Sequence, residues 1–335
     1  MRRSRLGVAP LLVDRFGRVV RKLRISVTDQ CNFRCLYCMP AGPVQWLPRD
    51  ELLTFEEIAR VARLCVAMGV EKIRLTGGEP LARRQVERLV EMLAAIPGLR
   101  SLSMTTNGYF LPAKARALKE AGLQSVNISL DTLRPERFAA ITRRDCFHRV
   151  WAGIEAAREA GFSPIKVNAV VMRGINDDEI LDFALWAGRS GVVVRFIEFM
   201  PLDGDERWSR DRVVEADEIL ERLAPLGPVE PLHNDPSDPA REYRLANGAV
   251  IGIIPTVSRP FCRFCDRIRL TADGKIRNCL FALEEPDLRP LLRGGAGDDE
   301  VAEFIRQAVW VKWEGHLINR PDFRRPARAM YAIGG

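Results

Sequence analysis

The sequence predicts an α/β fold: a partial (β/α)6 TIM-like barrel followed by a smaller C-terminal α+β domain. Three observations predict it. Short β-like runs alternate with helical patterns from Leu23 to Phe199, about six such units occur, and a Pro-rich stretch then precedes a hairpin signature. Repeated βα units imply a parallel sheet covered by helices. Six units fall short of the eight that close a barrel, which favours an open barrel over a doubly wound sheet. Ligands are expected at the carboxyl ends of the strands.

The elements of the first domain follow from this alternation. Strands are predicted over Leu23–Thr28, Val70–Thr76, Ser101–Thr106, Gln124–Leu130, Pro164–Met172 and Val192–Phe199. Helices are predicted near Thr54–Met68, Arg83–Ala95, Pro112–Ala121, Val150–Ala160 and Asp177–Arg189. The first helix carries the clearest signals, because Thr54 and Glu57 form a capping box and Gly69 stands where the helix would stop.

The chain is predicted to change character after residue 224. Five prolines fall between Pro225 and Pro239, which is typical of a boundary. The predicted division is therefore a barrel over 1–224, a linker over 225–240 and a C-terminal domain over 241–335. A strand over Gly248–Pro255 and a hairpin of Arg267–Thr271 with Lys275–Cys279 follow, the hairpin being joined through Asp273-Gly274.

Composition narrows the class of protein. The 335 residues are 47% hydrophobic, with 51 Lys+Arg against 44 Asp+Glu and a net charge of +7, which excludes a disordered or fibrous chain. No apolar run approaches the ~18 residues of a membrane span. Residues 1–13 lack the cleavage site of a signal peptide, so we expect a cytoplasmic protein that does not bind membranes. The positive charge fits either a basic surface or an anionic partner.

Six of the eight cysteines form two triplets that predict metal chemistry. Cys31, Cys35 and Cys38 are spaced C-x3-C-x2-C, and Cys262-x2-Cys265 is followed by Cys279. Structural zinc takes four ligands, and disulfides belong to secreted proteins. Closely spaced thiolates are typical of iron–sulfur clusters, and three of them leave one iron of a four-iron cluster open. Of the other two, Cys65 falls on an apolar helical stripe and Cys146 receives no role.

Cationic residues on predicted strands indicate an internal anionic site. Period two places Arg267 and Arg269 on one face, where guanidinium groups suit phosphate. Five further cations lie on first-domain strands, where charge is costly unless it lines a site. These are Arg24, Lys72, Arg74, Lys166 and Arg195. A Walker-type phosphate loop is absent from the sequence.

The first triplet, together with Thr76-Gly77-Gly78-Glu79-Pro80 after the second strand, resembles the radical S-adenosylmethionine superfamily. Glycines there allow close backbone approach, and Glu79 is a candidate acceptor for the ammonium group of S-adenosylmethionine. The run Cys262–Gly274, Cys279 and the terminal Gly334-Gly335 further resemble the GTP 3′,8-cyclase family of molybdenum-cofactor biosynthesis, and this resemblance spans nearly the whole chain.

The resemblance implies a set of site residues. The first triplet would ligate one [4Fe-4S] cluster and the second triplet another. S-adenosylmethionine would contact Tyr37, Gly78, Ser129 and Met200. GTP would contact Arg24, Arg74, Thr105, Lys166, Arg267, Ile268 and Arg269, with Lys72 and Arg195 among the further strand cations. Arg267 and Arg269 are also expected to act in catalysis, and Gly334 and Gly335 to enter the active site.

The implied reaction is a lyase reaction on GTP. A 5′-deoxyadenosyl radical would remove hydrogen from C3′, and C3′ would bond to C8 of guanine. The product would be (8S)-3′,8-cyclo-7,8-dihydroguanosine 5′-triphosphate. An unidentified electron donor, a homodimer and a downstream cyclic pyranopterin monophosphate synthase are also implied.

Two other readings of the sequence stay open. One is a different radical S-adenosylmethionine enzyme with an auxiliary cluster, acting on a peptide or on RNA. The other is an iron–sulfur or zinc protein that binds nucleic acid through its charge. Neither an RNA-binding module nor one exposed basic run is present in the sequence, so no nucleic-acid partner is expected.

Overall fold

The computed structural model describes residues 10–334, and it confirms the predicted partial barrel of alternating strands and helices. Its strands are β1 Lys22–Ser26, β2 Lys72–Thr76, β3 Ser101–Thr106, β4 Ser125–Ser129, β5 Lys166–Val171, β6 Val193–Glu198, β7 Val229–Pro231, β8 Arg241–Leu245, β9 Val250–Ile254, β10 Arg267–Leu270 and β11 Ile276–Arg277. Its helices are α1 Phe55–Ala67, α2 Val86–Ala94, α3 Leu111–Glu120, α4 Pro135–Thr142, α5 Phe147–Glu159, α6 Ile180–Ser190, α7 Ala216–Leu223, α8 Arg289–Arg293, α9 Asp298–Trp310 and α10 Met330–Ile333.

All eleven strands belong to one open sheet in the order β11-β10-β1-β2-β3-β4-β5-β6-β9-β8-β7. The six predicted parallel strands form its centre. The C-terminal part of the chain extends them on both sides, since β10 pairs in parallel with β1 and β9 pairs in parallel with β6. The hairpin prediction is confirmed by the antiparallel pair of β10 and β11. The second cysteine triplet therefore flanks a strand that lies directly beside β1.

Local sequence signals explain where the elements begin and end. At the start of α1, the Thr54 hydroxyl accepts from the Glu57 N–H while the Glu57 carboxylate accepts from the Thr54 N–H. The helix then buries Ile58, Val61 and Cys65 against the sheet, which agrees with the apolar stripe predicted there. Along β1 and β2, apolar side chains enter the core between sheet and helices, and the alternate positions face the barrel interior.

Several elements differ from the prediction. Helix α4, which follows β4, and helix α7, which precedes the predicted linker, were not predicted. Val229–Pro231 forms β7 inside the predicted linker, and β8 pairs with it at the sheet edge. Pro231 is tolerated because β7 is an edge strand. No helix between residues 10 and 334 combines the length and apolar character of a membrane span.

Candidate active site

One cavity of about 280 Å³ lies against the inner face of the sheet, and both cysteine triplets line it. The strand cations predicted to bind an anion line the same cavity in most cases. The predicted site residues in its wall are Arg24, Cys31, Cys35, Tyr37, Cys38, Arg74, Gly78, Glu79, Thr105, Ser129, Arg195, Met200, Cys262, Cys265, Arg267, Arg269 and Cys279. Residues far apart in sequence thus converge on a single chamber.

The first triplet lies on the loop after β1, at the carboxyl end of the strand. The loop after β2 packs directly on it: the Gly78 N–H donates to Thr28 O at 2.7 Å and the Glu79 N–H donates to Gln30 O at 2.8 Å. A Cβ on Gly78 would lie 2.4 Å from both Asp29 O and Gln30 O. The close approach that requires glycine is therefore to the backbone of the cysteine loop.

The Glu79 side chain joins the loop after β2 to the end of β3 and the loop that follows it. Its side chain is 1% exposed, and its carboxylate accepts from the Leu81 N–H, the Thr106 hydroxyl at 2.7 Å and the Asn107 N–H at 2.7 Å. Burial raises the pKa of this carboxyl to about 7, although the three hydrogen bonds oppose the shift. Three accepted bonds leave capacity for one more donor from the cavity.

A second buried carboxylate holds the cysteine loop from the other side. The Tyr37 hydroxyl donates to Asp131 at 2.8 Å, and the other Asp131 oxygen accepts from the Val170 N–H at 2.9 Å. Burial raises the pKa of Asp131 to about 6. Asp131 was not predicted as a site residue, although it directly follows the strand that carries Ser129.

The second triplet is assembled from two separate segments. Cys262 and Cys265 flank a short turn before β10, and Cys279 follows β11. Arg18, which also lines the cavity, donates to Cys262 O at 2.7 Å and to the carbonyls of Trp313 and Glu314, and so holds the turn in place. Gly315 lies so close that a Cβ there would be 3.1 Å from the Cys262 Cβ. The loop after α9 therefore forms one wall of this cysteine site.

Cations surround Cys265. The ammonium of Lys312 lies 3.4 Å from the Cys265 Sγ, and the guanidinium of Arg267 lies 3.7 Å from it. Burial opposes ionisation of this thiol, but the two cations outweigh burial and lower its pKa to about 6. The thiolate is the form that binds iron, so this site is prepared for a metal.

A row of three arginines crosses the sheet beside the second triplet. Register pairs Arg24 with Arg269 on one side and with Arg74 on the other, so the three side chains are neighbours on the inner face. Arg74 donates to the Ser103 hydroxyl at 3.2 Å and Arg269 donates to the Gly334 carbonyl. Within residues 10–334, none of the three pairs with a carboxylate. We call Arg24, Arg74 and Arg269 the arginine row.

The arginine row is electrostatically unfavourable by itself. Burial, with repulsion from Arg195 and Arg267, lowers the pKa of Arg74 to about 10. Burial and Arg267 lower the pKa of Arg269 to about 9, and burial with Arg269 lowers that of Arg24 well below its usual value. Such a cluster is stabilised by a polyanion, because each phosphate oxygen replaces repulsion with attraction.

Two asparagines facing the same cavity leave polar atoms without partners. Asn127 is 1% exposed and its Nδ2 has no hydrogen bond, and the Oδ1 of Asn168 is likewise unpartnered. Buried polar atoms are normally satisfied, so a donor and an acceptor here indicate a polar ligand. These residues carry no charge and lie inside β-runs, so no local pattern marked them as site residues.

Three predicted GTP contacts lie outside the cavity wall. Lys72 lies two residues before Arg74 and therefore on the same face of β2. It is exposed at the amino end of the strand and does not reach the cavity. Lys166 begins β5 and is half-buried beneath the chamber, where burial and Arg195 lower its pKa. Ile268 points its side chain into the core, and its backbone lies within the pairing of β10 and β1.

The C-terminal tail enters the barrel. Gly334 has φ +75°, and a Cβ there would lie 2.6 Å from the Thr76 Oγ1 and 2.9 Å from the Ser26 Cβ, at the carboxyl ends of β2 and β1. Its carbonyl accepts from Arg269. The other predicted tail residue, Gly335, lies outside the described residues.

The donor set fits iron–sulfur clusters better than single ions. Within residues 10–334, no three His, Cys, Asp or Glu side chains converge closely enough to hold one metal ion. The cysteines instead stand around a shared chamber as free thiols, three at each end. A four-iron cluster takes its thiolates on different irons, which suits this wider spacing.

The fold and the cysteine loop define the class of protein. Residues 25–187 match the family model described as Radical SAM superfamily, and residues 192–318 match the model Molybdenum Cofactor Synthesis C. Among solved structures, SuiB of Streptococcus suis is similar in fold alone, with a TM-score of 0.62 and 13% identity over 94% of this chain and 78% of that one. The chain is a radical SAM protein.

Curated relatives then give the family. The GTP 3′,8-cyclase of Streptomyces coelicolor is 48% identical over 99% of this chain and 98% of its own length. That of Rhodopirellula baltica is 49% identical over 97% of this chain and 92% of its own. The chain belongs to the GTP 3′,8-cyclase family.

Proposed function

We propose that this chain is a GTP 3′,8-cyclase, a lyase that converts GTP to (8S)-3′,8-cyclo-7,8-dihydroguanosine 5′-triphosphate in the first step of molybdenum-cofactor biosynthesis. The observation that carries the proposal is a single chamber with a cysteine triplet at each end and the arginine row in its wall. A radical source, a second cluster and a polyanion site within one chamber are what an intramolecular cyclisation of a nucleotide triphosphate requires.

The end of the chamber near β1 and β2 is proposed to hold S-adenosylmethionine. Cys31, Cys35 and Cys38 would ligate a [4Fe-4S] cluster, and the open iron would take the amino acid part of S-adenosylmethionine. Glu79 has one acceptor position left for its ammonium group. Further contacts are proposed for Tyr37, Gly78, Ser129 and Met200, which all line the chamber.

The other end is proposed to hold GTP. The arginine row with Arg195 and Arg267 would neutralise the triphosphate, and this would remove the repulsion that, after burial, lowers the pKa values of Arg24, Arg74 and Arg269. Thr105 lines the same chamber, and Lys166 adds positive charge from below it. Cys262, Cys265 and Cys279 would hold the second [4Fe-4S] cluster, whose open iron would bind the guanine base.

Cys31, Cys35 and Cys38 would hold the first cluster, which together with S-adenosylmethionine would supply a 5′-deoxyadenosyl radical able to take hydrogen from C3′ of GTP. The chain's own residues hold C3′ towards that end and C8 in reach of C3′, through arginines on one rigid sheet. The C3′–C8 bond would form inside the chamber, whose wall includes Met330, Tyr331 and the loop after α9, and exclusion of water there would protect the radical. The base radical would then need one electron and one proton, and Arg267 and Arg269 are proposed to act in catalysis.

Other proposals concern the setting of the enzyme. Its eight cysteines are free thiols, which supports a cytoplasmic location. An electron donor of unidentified nature, a homodimer, and a downstream cyclic pyranopterin monophosphate synthase that accepts the product are proposed with the family. The division into a barrel over 1–224, a linker over 225–240 and a C-terminal domain over 241–335 is also proposed.

Product analysis tests the function. The chain is reconstituted without oxygen and incubated with S-adenosylmethionine, dithionite and GTP, with ATP and no nucleotide as controls. We expect GTP-dependent 5′-deoxyadenosine and a new product with the mass of GTP. Slow 5′-deoxyadenosine formation that ignores GTP would leave the radical SAM class intact and refute the cyclase.

A further inference from the structure

Lys312 is a buried lysine that has no role in the mechanism proposed above. It follows α9, is 2% exposed and lines the chamber. Within residues 10–334 no carboxylate pairs with its ammonium group. A buried ammonium is unfavourable unless negative or strongly polar groups surround it, so its two partners define what it does.

The two partners of Lys312 connect the second cysteine triplet to the proposed triphosphate site. Its Nζ lies 3.4 Å from the Cys265 Sγ and also donates to the Arg267 carbonyl. Arg267 opens β10, the strand that carries Arg269 two residues later. One ammonium group therefore fixes a cluster ligand and the start of the arginine-bearing strand relative to each other.

The two triplets have opposite electrostatic surroundings. Carboxylates lie near the first: Asp131 accepts from the hydroxyl of Tyr37 within the cysteine motif, and Glu79 accepts from the N–H of Asn107, whose side chain contacts Cys31. The side-chain donor to Cys31 is the neutral amide of Asn107, at 3.9 Å. Around the second triplet the donors to sulfur are the cations Lys312 and Arg267.

Charge and hydrogen bonds at the ligand sulfurs set the reduction potential of an iron–sulfur cluster. The reduced cluster carries one more negative charge than the oxidised cluster, so a buried ammonium at a ligand sulfur stabilises it. A Lys312 that merely capped the Arg267 carbonyl would leave the potential unchanged. The sulfur contact distinguishes the two roles.

We propose that Lys312 is a positioning residue that holds Cys265 against Arg267 and makes the second cluster easier to reduce than it would otherwise be. The proposal rests on the proposed function, which supplies the second cluster. It assigns to the second cluster the more positive potential of the two, suited to exchange an electron with bound nucleotide.

The test compares Lys312→Gln, Lys312→Arg and the control Lys275→Gln in the full chain with both clusters. Gln removes the charge and keeps an N–H donor, whereas Arg keeps the charge. Lys275 lies in the turn of the same hairpin but contacts the carboxylates of Asp273 and Glu285. Iron content is measured first, and an EPR-monitored titration with dithionite then gives both midpoint potentials. A variant that combines Cys31→Ser, Cys35→Ser and Cys38→Ser identifies the signal of the second cluster.

We expect Lys312→Gln to shift the second midpoint potential to a more negative value, leave the first unchanged and raise the KM for GTP. Lys312→Arg should keep the second midpoint potential and the KM for GTP close to those of the parent chain. Lys275→Gln should match the parent chain in both quantities. Loss of iron from the second site in Lys312→Gln but not in Lys312→Arg would also support a role for the charge. An unchanged potential with full iron, or equal iron loss in both variants, would overturn it. A parent chain without a second reducible cluster would contradict the proposed function itself.

Discussion

Arg74 offers a test in which binding and stability should move in opposite directions. Its pKa of about 10, against an ordinary 12.5, corresponds to about 3 kcal/mol of unfavourable free energy for holding the charge. The folded-state pKa is lowered, so this penalty is present at pH 7 and disappears only as the pH rises past about 10. Replacing Arg74 by Met removes the penalty and one hydrogen bond to Ser103, worth about 1 kcal/mol.

In the absence of GTP, the free energy of unfolding of Arg74→Met should therefore be about 2 kcal/mol higher than that of the parent chain. Binding should weaken, because a charge-assisted hydrogen bond contributes about 1.5–3 kcal/mol, or roughly 10–150-fold in Kd. Thermal unfolding and equilibrium dialysis with GTP, both without oxygen and in phosphate-free buffer, measure the two effects. Arg100→Met is the matched control, since Arg100 is exposed and pairs with Glu71 far from the chamber.

A lower Tm for Arg74→Met together with an unchanged Kd for GTP would refute the reasoning. That result would make Arg74 an ordinary structural residue. It would also contradict the inference that the arginine row binds a polyanion.

Three further outcomes are expected. Because burial raises the pKa of Glu79 to about 7, the folded chain binds this proton more tightly than the unfolded chain. Its stability should therefore fall as the pH rises from about 4.5 to 7, a slope that denaturant titrations should find reduced in Glu79→Gln. Gly78→Ala should lose iron from the first site because the new Cβ meets the cysteine loop, whereas Gly42→Ala, with open space around it, should keep its iron. Gly334→Ala should retain both clusters and lose cyclase activity, and a fully active variant would remove the tail from the mechanism.

Local patterns in the sequence predicted much of the barrel. The first six strands lie within two residues of their predicted bounds, since alternating apolar residues and caps are local signals. These local signals did not predict the parallel pairing of β10 with β1 or of β9 with β6. Arg24 and Arg269 are direct neighbours across the sheet but 245 positions apart in the chain, and no local pattern encodes that contact.

The types of residue that form the candidate site were predictable from the sequence, but the burial of each residue was not. Period two put Lys72 and Arg74 on one face, but it could not show that Lys72 lies at the exposed end of the strand. Lys312 gave no signal at all, because an isolated lysine after a helix resembles any surface residue. Its burial arises from packing against Cys265, which is 47 residues away.

Hydrogen abstraction at C3′ of GTP is tested most directly by following the hydrogen atom that the reaction moves. The reconstituted chain is given GTP carrying deuterium at C3′, and the 5′-deoxyadenosine formed is analysed by mass spectrometry. We expect one deuterium to appear in 5′-deoxyadenosine and to be missing from the cyclised product. Unlabelled 5′-deoxyadenosine from labelled GTP would contradict hydrogen abstraction at C3′, and with it the proposed cyclisation.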